Sequence, residues 1–292
     1  MTKHTLPTDW DARFEDAVRT KTREAVAAEL FPLRTTEVGA IDRLEPIGNQ
    51  WTRRLFDGDF FLSPVPEQIP ATGLVFVQSS DGNTGTRNPS SLGGGETDKH
   101  LIYEGLSRAA ADGVLAGAET IRGSKLPLSV WHPELVRLRT ALQLPRHPVQ
   151  IVTTLGRLTF DDTLLLNVSE LRVILVTISA YVERVRPELE SRPWIKPVVM
   201  AGPDDLAGAF RTMRSMGIGR ISAIGGRTIA RAMIAAKLVQ DLYLTTSPRP
   251  GGEPDTPLTA APLEGTVVLA KRGTGADRGV RFEHLVITGP LS

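Results

Sequence analysis

The sequence contains no cysteine. Disulfide bonds, thiol nucleophiles and cysteine-bound metals are therefore excluded. The zinc signature of nucleobase deaminases needs cysteines as well, so we expect no deaminase half in this chain. The absence of cysteine suits a reducing compartment, and we expect the protein in the cytoplasm.

An excess of charge of one sign is also lacking. The chain has 34 Lys and Arg against 33 Asp and Glu, a formal net charge of +1. Nucleic-acid-binding proteins carry a basic field, so we expect no nucleic-acid partner. The 5 histidines show no metal-ligand spacing, and we expect no metal site.

Long hydrophobic runs are missing too. The longest apolar stretches, Val173–Ile178 and Thr266–Ala270, have the length of strands, whereas a membrane span needs roughly 20 residues. The first residues are polar and lack the apolar core of a signal peptide. We therefore expect no membrane partner.

Two common enzyme motifs do not occur. No Gly-x-Gly-x-x-Gly follows the first strand of the main pattern, which argues against an ordinary Rossmann dehydrogenase. No Gly-x-Ser-x-Gly elbow marks a hydrolase.

The chain divides near residue 70. Apolar residues at helical spacing predict a helix over 9–30, and a mixed segment then ends in the Pro-rich stretch Leu62–Gly73. We expect residues 1–70 to form an N-terminal helical or mixed extension with a linker. Residues 71–292 then form the main domain.

Strand-length apolar runs alternate with helical patterns from residue 73 onward. This pattern predicts an α/β domain with a mainly parallel sheet and helices on both faces. At the C-terminus, 238–246, 266–271 and 280–287 look like strands without intervening helices, so we expect an antiparallel edge. The other predicted strands are 74–78, 113–116, 149–153, 172–177, 198–201 and 220–223, and the helices are 97–110, 133–142, 204–216 and 228–237.

The strongest local motif is a glycine pair between a strand and a helix. Gly225 and Gly226 are followed at once by Arg227, Thr228 and Ile229 at the predicted helix start. Glycine lets backbone approach a ligand closely, and the free N–H groups of a helix start favour an anion such as pyrophosphate. A tight turn without a ligand is the alternative.

Two further strand ends carry groups that can bind phosphate. Gly117-x-x-Thr120 offers close backbone approach and a hydroxyl donor, although a capped helix start would look the same. Thr153, Thr154 and Arg157 offer hydroxyls and a guanidinium that could hold a ribose 2′-phosphate. A solvated strand end is the alternative there.

The first strand of the domain runs through Val77 into the turn Ser79-Ser80-Asp81-Gly82 and a long Gly- and Ser-rich loop. Such residues are ordinary turn chemistry. However, α/β proteins also bind ligands in loops at the carboxyl ends of buried strands.

These motifs occur in the order found in a known family. Over residues 73–290 the chain resembles the pyrimidine reductase of riboflavin biosynthesis, the reductase domain of the bifunctional deaminase–reductase. The matching pieces are Ser79–Gly82, an arginine at Arg108, the Gly-x-x-Thr turn at Thr120 and the glycine loop Gly225–Ile229.

The resemblance implies a dihydrofolate-reductase-like fold and NADPH-dependent reduction of 5-amino-6-(5-phosphoribosylamino)uracil to the ribitylamino product. The nicotinamide is then expected near Val77 and the pyrophosphate on Gly225–Ile229 with Thr120. The adenosine end is expected near Thr154. The family also pairs through this domain, and the predicted C-terminal edge needs cover, so we expect a homodimer.

The resemblance also implies substrate-side roles. Arg108 is expected to bind the substrate phosphate, and Ser79 and Leu128 to contact the substrate. Asp81 and Asp98 are the carboxylates best placed to assist protonation, although both residue types also occur as turn or cap residues.

Two departures from the family pattern leave the substrate open. The family has an acid directly before the glycines, where this chain has Ile224, and Asp-Asp-Pro where it has Arg122–Lys125. The alternatives are a reductase of the same fold acting on another pterin- or imine-type metabolite, and a nucleotide-binding module without catalysis.

Overall fold

The computed structural model describes residues 9–86, 89–122, 126–260 and 263–287. A ten-stranded sheet has the order β1-β11-β12-β10-β4-β9-β5-β6-β7-β8, and β2 pairs with β3 in a separate two-stranded sheet. The strands are β1 (Arg34–Val38), β2 (Glu45–Ile47), β3 (Phe60–Leu62), β4 (Ala71–Gln78), β5 (Gly113–Gly117), β6 (Val149–Thr153), β7 (Val173–Ile178), β8 (Ile195–Met200), β9 (Arg220–Ile224), β10 (Asp241–Thr246), β11 (Gly265–Arg272) and β12 (Arg281–Ile287).

The helices are α1 (Trp10–Ala27), α2 (Gln50–Phe56), α3 (Gly95–Thr97), α4 (Ala118–Ile121), α5 (Pro133–Ala141), α6 (Leu164–Asn167), α7 (Ser179–Arg184), α8 (Arg186–Glu190), α9 (Leu206–Ser215) and α10 (Arg227–Ala235). A π-helix, Asp98–Leu106, continues directly from α3, and 3-10 turns cover Pro89–Leu92 and Gly275–Asp277.

The sheet is parallel from β10 through β4, β9, β5, β6 and β7 to β8. Along β7, Ile174 and Val176 face a core that includes α9 and α10, whereas Val173 and Leu175 face a second core that includes α1 and α6. Alternation of this kind requires apolar cover on both faces. The predicted α/β class with helices on both faces is confirmed.

The antiparallel edge is confirmed as well. β12 pairs antiparallel with β10, and β11 with β12. The outer edge of β11 is paired with β1 of the same chain. The edge that motivated the homodimer prediction is thus covered from within, and the dimer itself stays a prediction.

Residues before 71 pack on the main sheet. Trp10 and Phe14 of α1 lie in the second core, β1 extends the sheet, and the Ser63 hydroxyl donates to Asp241 Oδ1 at 2.8 Å. The domain boundary near residue 70 stays a prediction.

The helix predicted over 97–110 has a different geometry in its central part. From Asp98 to Leu106 it is a π-helix, and the Ser107 N–H donates to the Ile102 carbonyl five residues earlier, at 3.1 Å. Bonds of this kind align residues five apart, and π-helical turns occur frequently at functional sites. The periodicity used for prediction assumes 3.6 residues per turn and therefore cannot identify the exposed face of this helix.

Candidate functional site

A cleft follows the carboxyl ends of the central parallel strands. It consists of a first cavity of about 460 Å³, beside β4 and the π-helix, and a second of about 660 Å³, beside β5, β6 and α10. Thr120 and Gly226 line both cavities. Open α/β sheets bind ligands in such crevices, so the cleft fits an elongated ligand that crosses from one cavity to the other.

The predicted glycine loop lies at the junction. Gly225 and Gly226 both have left-handed φ angles, +77° and +75°, and α10 starts at the next residue. A Cβ atom on Gly225 would lie 3.5 Å from Thr120 Oγ1, and one on Gly226 would lie 3.3 Å from Ile229 Cγ2. Only glycine adopts this backbone without strain, and the turn keeps backbone exposed to the cleft beside a hydroxyl. The structure thus brings these predicted residues together.

The next residues of the loop divide between the cavities. Arg227 lines the first, where its guanidinium lies 3.5 Å from Glu253, and Thr228 and Ile229 line the second. Gly117 also lines the second cavity, and a Cβ there would meet only Thr153 Oγ1, at 3.9 Å. Packing therefore does not require glycine at this position.

Thr153, Thr154 and Arg157 lie together on the wall of the second cavity. Thr154 Oγ1 accepts hydrogen bonds from the N–H groups of Gly156 and Arg157, both at 3.1 Å. This bonding fixes the turn that follows β6, and the Arg157 side chain projects from it into solvent.

Sequence reasoning missed a second arginine at this wall. Arg184, at the end of α7, donates to the Gly156 carbonyl at 2.7 Å and lies 4.6 Å from the centroid of the Tyr181 ring. The Tyr181 hydroxyl accepts from the Leu158 N–H at 3.1 Å. No sequence motif links α7 to the Thr154 turn, so only the folded chain shows the pair of arginines.

Val77 and Asp98 line the first cavity, and their nicotinamide-binding and catalytic roles stay predictions. Burial raises the pKa of Asp98 to about 6, and the charge of Asp277 acts in the same direction. The Thr245 hydroxyl donates to Asp98 Oδ1, which opposes the shift without cancelling it. Asp98 therefore retains its proton closer to neutral pH than an exposed aspartate does.

The π-helix also carries residues that sequence reasoning missed. Lys99, Tyr103 and Glu104 line the first cavity together with Asp98. The pairs 98/103 and 99/104 are each five residues apart, the spacing that a π-helix aligns. Glu104 Oε2 lies 3.0 Å from Nδ1 of the buried His100. Sequence reasoning missed these residues because it assumed an α-helix over 97–110, and nothing in the sequence pattern indicated a π-helix.

Asp81 and Ser79 do not line either cavity. Asp81 is exposed, and its Oδ2 accepts from the Gly251 N–H at 3.3 Å. Ser79 is fully buried, and its hydroxyl accepts from the Asn83 N–H at 3.2 Å. Both hold the turn after β4, and their catalytic and substrate roles stay predictions.

Arg108 and Leu128 lie behind the cavity wall. Arg108 is 3 % exposed, donates from Nη1 to the Ser129 carbonyl at 2.7 Å and stacks 4.4 Å from the centroid of Tyr103. The Leu128 N–H donates to Gln150 Oε1 at 2.7 Å, and Gln150 Nε2 donates to the Leu128 carbonyl at 3.0 Å. Arg108 thus reaches the first cavity only through Tyr103, and the direct substrate contacts stay predictions.

The two departures from the family pattern have different surroundings. Ile224 is 1 % exposed and packs in the second core. Arg122 is exposed and pairs with Glu119 at 2.6 Å, while residues 123–125 lie outside the described part. The described ranges contain no cluster of potential metal-binding side chains. Within those ranges, no helix is both long enough and apolar enough to cross a membrane.

Several solved structures share the fold. A pyrimidine reductase-like protein from Corynebacterium diphtheriae matches with 19 % identity and a TM-score of 0.62, over 75 % of this chain and 92 % of that one. RibD from Acinetobacter baumannii matches with 16 % identity and a TM-score of 0.58, over 76 % of this chain but only 58 % of that one. Saccharomyces cerevisiae riboflavin biosynthesis reductase Rib7 matches with 17 % identity and a TM-score of 0.52, over 76 % and 91 %.

The comparison with curated proteins gives no significant match. The family model of the RibD C-terminal domain, however, matches residues 72–270, more than half of the chain. The matched region contains β4 to β10, the π-helix and both cavities. The resemblance found in the sequence is confirmed, and this protein belongs to the RibD C-terminal domain family, the reductase family of riboflavin biosynthesis.

Proposed function

We propose that this oxidoreductase reduces 5-amino-6-(5-phosphoribosylamino)uracil to its ribitylamino product with NADPH. The observation that carries the proposal is the cleft in which Gly225, Gly226 and Thr120 join the two cavities. A dinucleotide needs such an arrangement, with backbone donors in the middle and a pocket on each side. We further propose a homodimer and a cytoplasmic location.

The residues at the junction fit NADPH. The exposed backbone of the glycine loop, the first N–H groups of α10 and the Thr120 hydroxyl would hold the pyrophosphate. The adenosine would occupy the second cavity, and the nicotinamide would lie in the first near Val77. When bound, NADPH supplies the hydride, and the protein supplies alignment and electrostatics.

Selectivity for NADPH over NADH is assigned to the second cavity. Arg157 and Arg184 provide two guanidinium groups at the wall that also carries Thr153 and Thr154. Charge-assisted hydrogen bonds to a 2′-phosphate favour NADPH, which carries this group, over NADH, which lacks it. The Gly156 and Tyr181 contacts hold Arg184 in place before the ligand arrives.

Asp98 is proposed to deliver the proton of the reduction. Conversion of a C=N bond to CH–NH consumes a hydride and a proton, and an acid with a pKa near the working pH transfers protons efficiently. Burial raises the pKa of Asp98 to about 6, and the side chain lines the first cavity. Its carboxyl group would hold the proton until the substrate nitrogen accepts it.

A second candidate, a reductase of another pterin- or imine-type metabolite, is favoured by one observation. Arg108 lies behind Tyr103 instead of lining the first cavity, so the expected phosphate contact has no direct counterpart there. Family membership and the acidic first cavity are compatible with both candidates.

The test follows NADPH oxidation at 340 nm with the phosphorylated pyrimidine, beside an NADPH titration by fluorescence. Turnover supports the proposal. NADPH binding without turnover contradicts the pyrimidine substrate and leaves the second candidate and a nucleotide-binding module without catalysis. The absence of NADPH binding contradicts both reductases.

A further inference from the structure

The position directly before the glycine pair offers no polar group to the first cavity. Ile224 is 1 % exposed and packs among apolar side chains of the second core. A carboxylate there would be desolvated without a partner, which is costly. If the substrate needs a carboxylate, another element must provide it.

The π-helix offers one from the lining of the same cavity. Glu104 lines the first cavity, as do Gly225 and Gly226, the residues that follow Ile224. Glu104 is only 7 % exposed. A carboxylate at such depth must be hydrogen-bonded, and that bonding also fixes its direction.

His100 provides this bonding. Its Nδ1 is hydrogen-bonded to Glu104 Oε2 at 3.0 Å, whereas its Nε2 lies 3.2 Å from Glu96 Oε2 without hydrogen-bond geometry. His100 is 2 % exposed, so the imidazole is enclosed between the two glutamates. Among the described residues, none hydrogen-bonds to Glu104 Oε1, and this atom is not one of the fully buried polar atoms. Glu104 therefore holds one oxygen on His100 and has the other open to the cavity.

We propose that Glu104, positioned by His100, is the substrate-contacting carboxylate of this protein and accepts hydrogen bonds from the ring N–H and amino groups of an aminopyrimidine. The proposal rests on the proposed function for its substrate class. A carboxylate only accepts hydrogen bonds, and an aminouracil edge is rich in donors. Hydrogen bonds to an ionised acceptor are about twice as strong as neutral ones.

The charges around Glu104 also orient the substrate. The lining of the first cavity includes two ion pairs, Lys99–Glu96 at 3.3 Å and Arg227–Glu253 at 3.5 Å. Among the described residues, no Lys or Arg pairs with Glu104, so its negative charge disfavours an approaching phosphate and favours the donor-rich ring. The substrate would therefore place its ring against Glu104 and its phosphate away from it.

The experiment measures binding of 5,6-diaminouracil by calorimetry, in the presence of NADP⁺, to wild type, Glu104→Gln and Glu104→Asp. Gln keeps the size but loses the charge and adds donors, so we expect the Kd to rise at least tenfold. Asp keeps the charge but retracts it by one methylene, so a smaller rise is expected. NADPH affinity should change less than twofold. Glu15→Gln, an exposed change on α1 beside Arg19, is the matched control.

His100→Gln tests the positioning role. A Gln side chain can donate to Glu104 but lacks the rigid ring that fixes the direction of this hydrogen bond, so probe binding should weaken in this variant. In the double variant with Glu104→Gln, little further loss should follow, because both changes act on one contact. If the losses of probe binding in the two single variants add fully in the double variant, His100 does not act through Glu104, and its positioning role is wrong.

Failure of this inference is distinguishable from failure of the proposed function. If wild type reduces the phosphorylated pyrimidine and Glu104→Gln keeps the wild-type Kd and KM, the function stands and the inference is wrong. If wild type has no turnover but Glu104→Gln still loses the probe, the function fails and the inference stands. Absence of probe binding to wild type would overturn the inference directly.

Discussion

The two halves of the cleft are lined by different chemical groups, one by backbone and the other by side chains. On the half proposed for the cofactor, the glycine loop presents backbone N–H groups, and its residues are consecutive in the sequence. On the half proposed for the substrate, the cavity is lined by side chains of a π-helix, whose register cannot be derived from hydrophobic periodicity. A backbone site is therefore visible as a local motif, whereas a side-chain site depends on geometry that the tertiary structure determines.

The halves also differ in the charged groups that line them. The second cavity has Arg157 and Arg184 beside Glu119 and Asp204, whereas the first has Glu96, Asp98, Glu104 and Glu253 beside Lys99 and Arg227. The two guanidinium groups of the second cavity suit the phosphate-bearing end of a cofactor. The excess of carboxyl groups in the first suits proton donation and hydrogen-bond acceptance.

The sharpest test of this contrast is Arg108→Ala. The sequence placed Arg108 at the substrate phosphate, but the structure buries it against Ser129 and Tyr103. Removing a buried, bonded guanidinium leaves a cavity and an unpaired carbonyl, so we expect a loss of about 2–4 kcal/mol in the free energy of unfolding. Urea denaturation measures it. If the variant is as stable as wild type and only its KM rises tenfold, the result would support a direct contact between Arg108 and the substrate phosphate.

A change in the glycine loop should weaken NADPH binding more than a change at another glycine of the cleft. In Gly226→Val, a branched side chain meets Ile229 and the required left-handed φ of +75° is strained. NADPH binding should weaken by about 2 kcal/mol or more, because an oriented backbone–anion contact is lost. Fluorescence titration of NADPH is the measurement. The matched change Gly117→Ala has room for its Cβ and should cost much less, and equal losses would contradict the assignment of the contact to the loop.

Asp98→Asn probes the acidic half through pH. Burial raises the pKa of Asp98 to about 6 from 3.8, so the folded protein binds this proton more tightly than the unfolded chain. The stability that the neutral carboxyl contributes is complete below about pH 4 and is lost as the pH rises through about 6. Asn removes this loss, and the variant should exceed wild type by about 1–2 kcal/mol at pH 8 but not at pH 4.

Urea denaturation at both pH values measures the difference. Asp81→Asn, the same change at an exposed aspartate outside both cavities, is the comparison. In wild type, kcat should also fall as the pH rises above about 6, if Asp98 delivers the proton. A rate that stays flat from pH 5 to 8 would assign the proton to another group.

The smallest effect is expected at the second cavity. Arg184→Gln should lower NADPH affinity by about 1 kcal/mol and leave NADH affinity nearly unchanged, since only NADPH carries the 2′-phosphate. The effect is small because Arg184 is exposed and solvent weakens its charge. Arg157→Gln should have a similar effect, and parallel titrations with the two cofactors measure the ratio. An equal loss of affinity for both cofactors would show that the arginines stabilise the turn after β6 instead of binding a 2′-phosphate.

Local patterns predicted most of the sheet. β6 was predicted to the residue, at Val149–Thr153, because its short run is rich in β-branched residues and lies between Pro148 and Gly156, a pattern that favours a strand. β1 was missed, since its sequence, Arg-Thr-Thr-Glu-Val, is polar and mostly exposed at an edge. Its partner β11 lies more than 200 residues away, so the pairing has no local signal.

The sequence by itself determined the α/β class, the antiparallel end of the sheet and the glycine loop before α10, because alternation of apolar runs and a glycine pair before a helix act over a few residues. Only the tertiary structure decided which charged groups meet. It buried Arg108 behind Tyr103, joined Arg184 to the Thr154 turn, and turned Asp98 and Glu104 to one cavity through a π-helix. Those outcomes depend on packing between distant segments, and packing sets both the burial and the direction of each side chain.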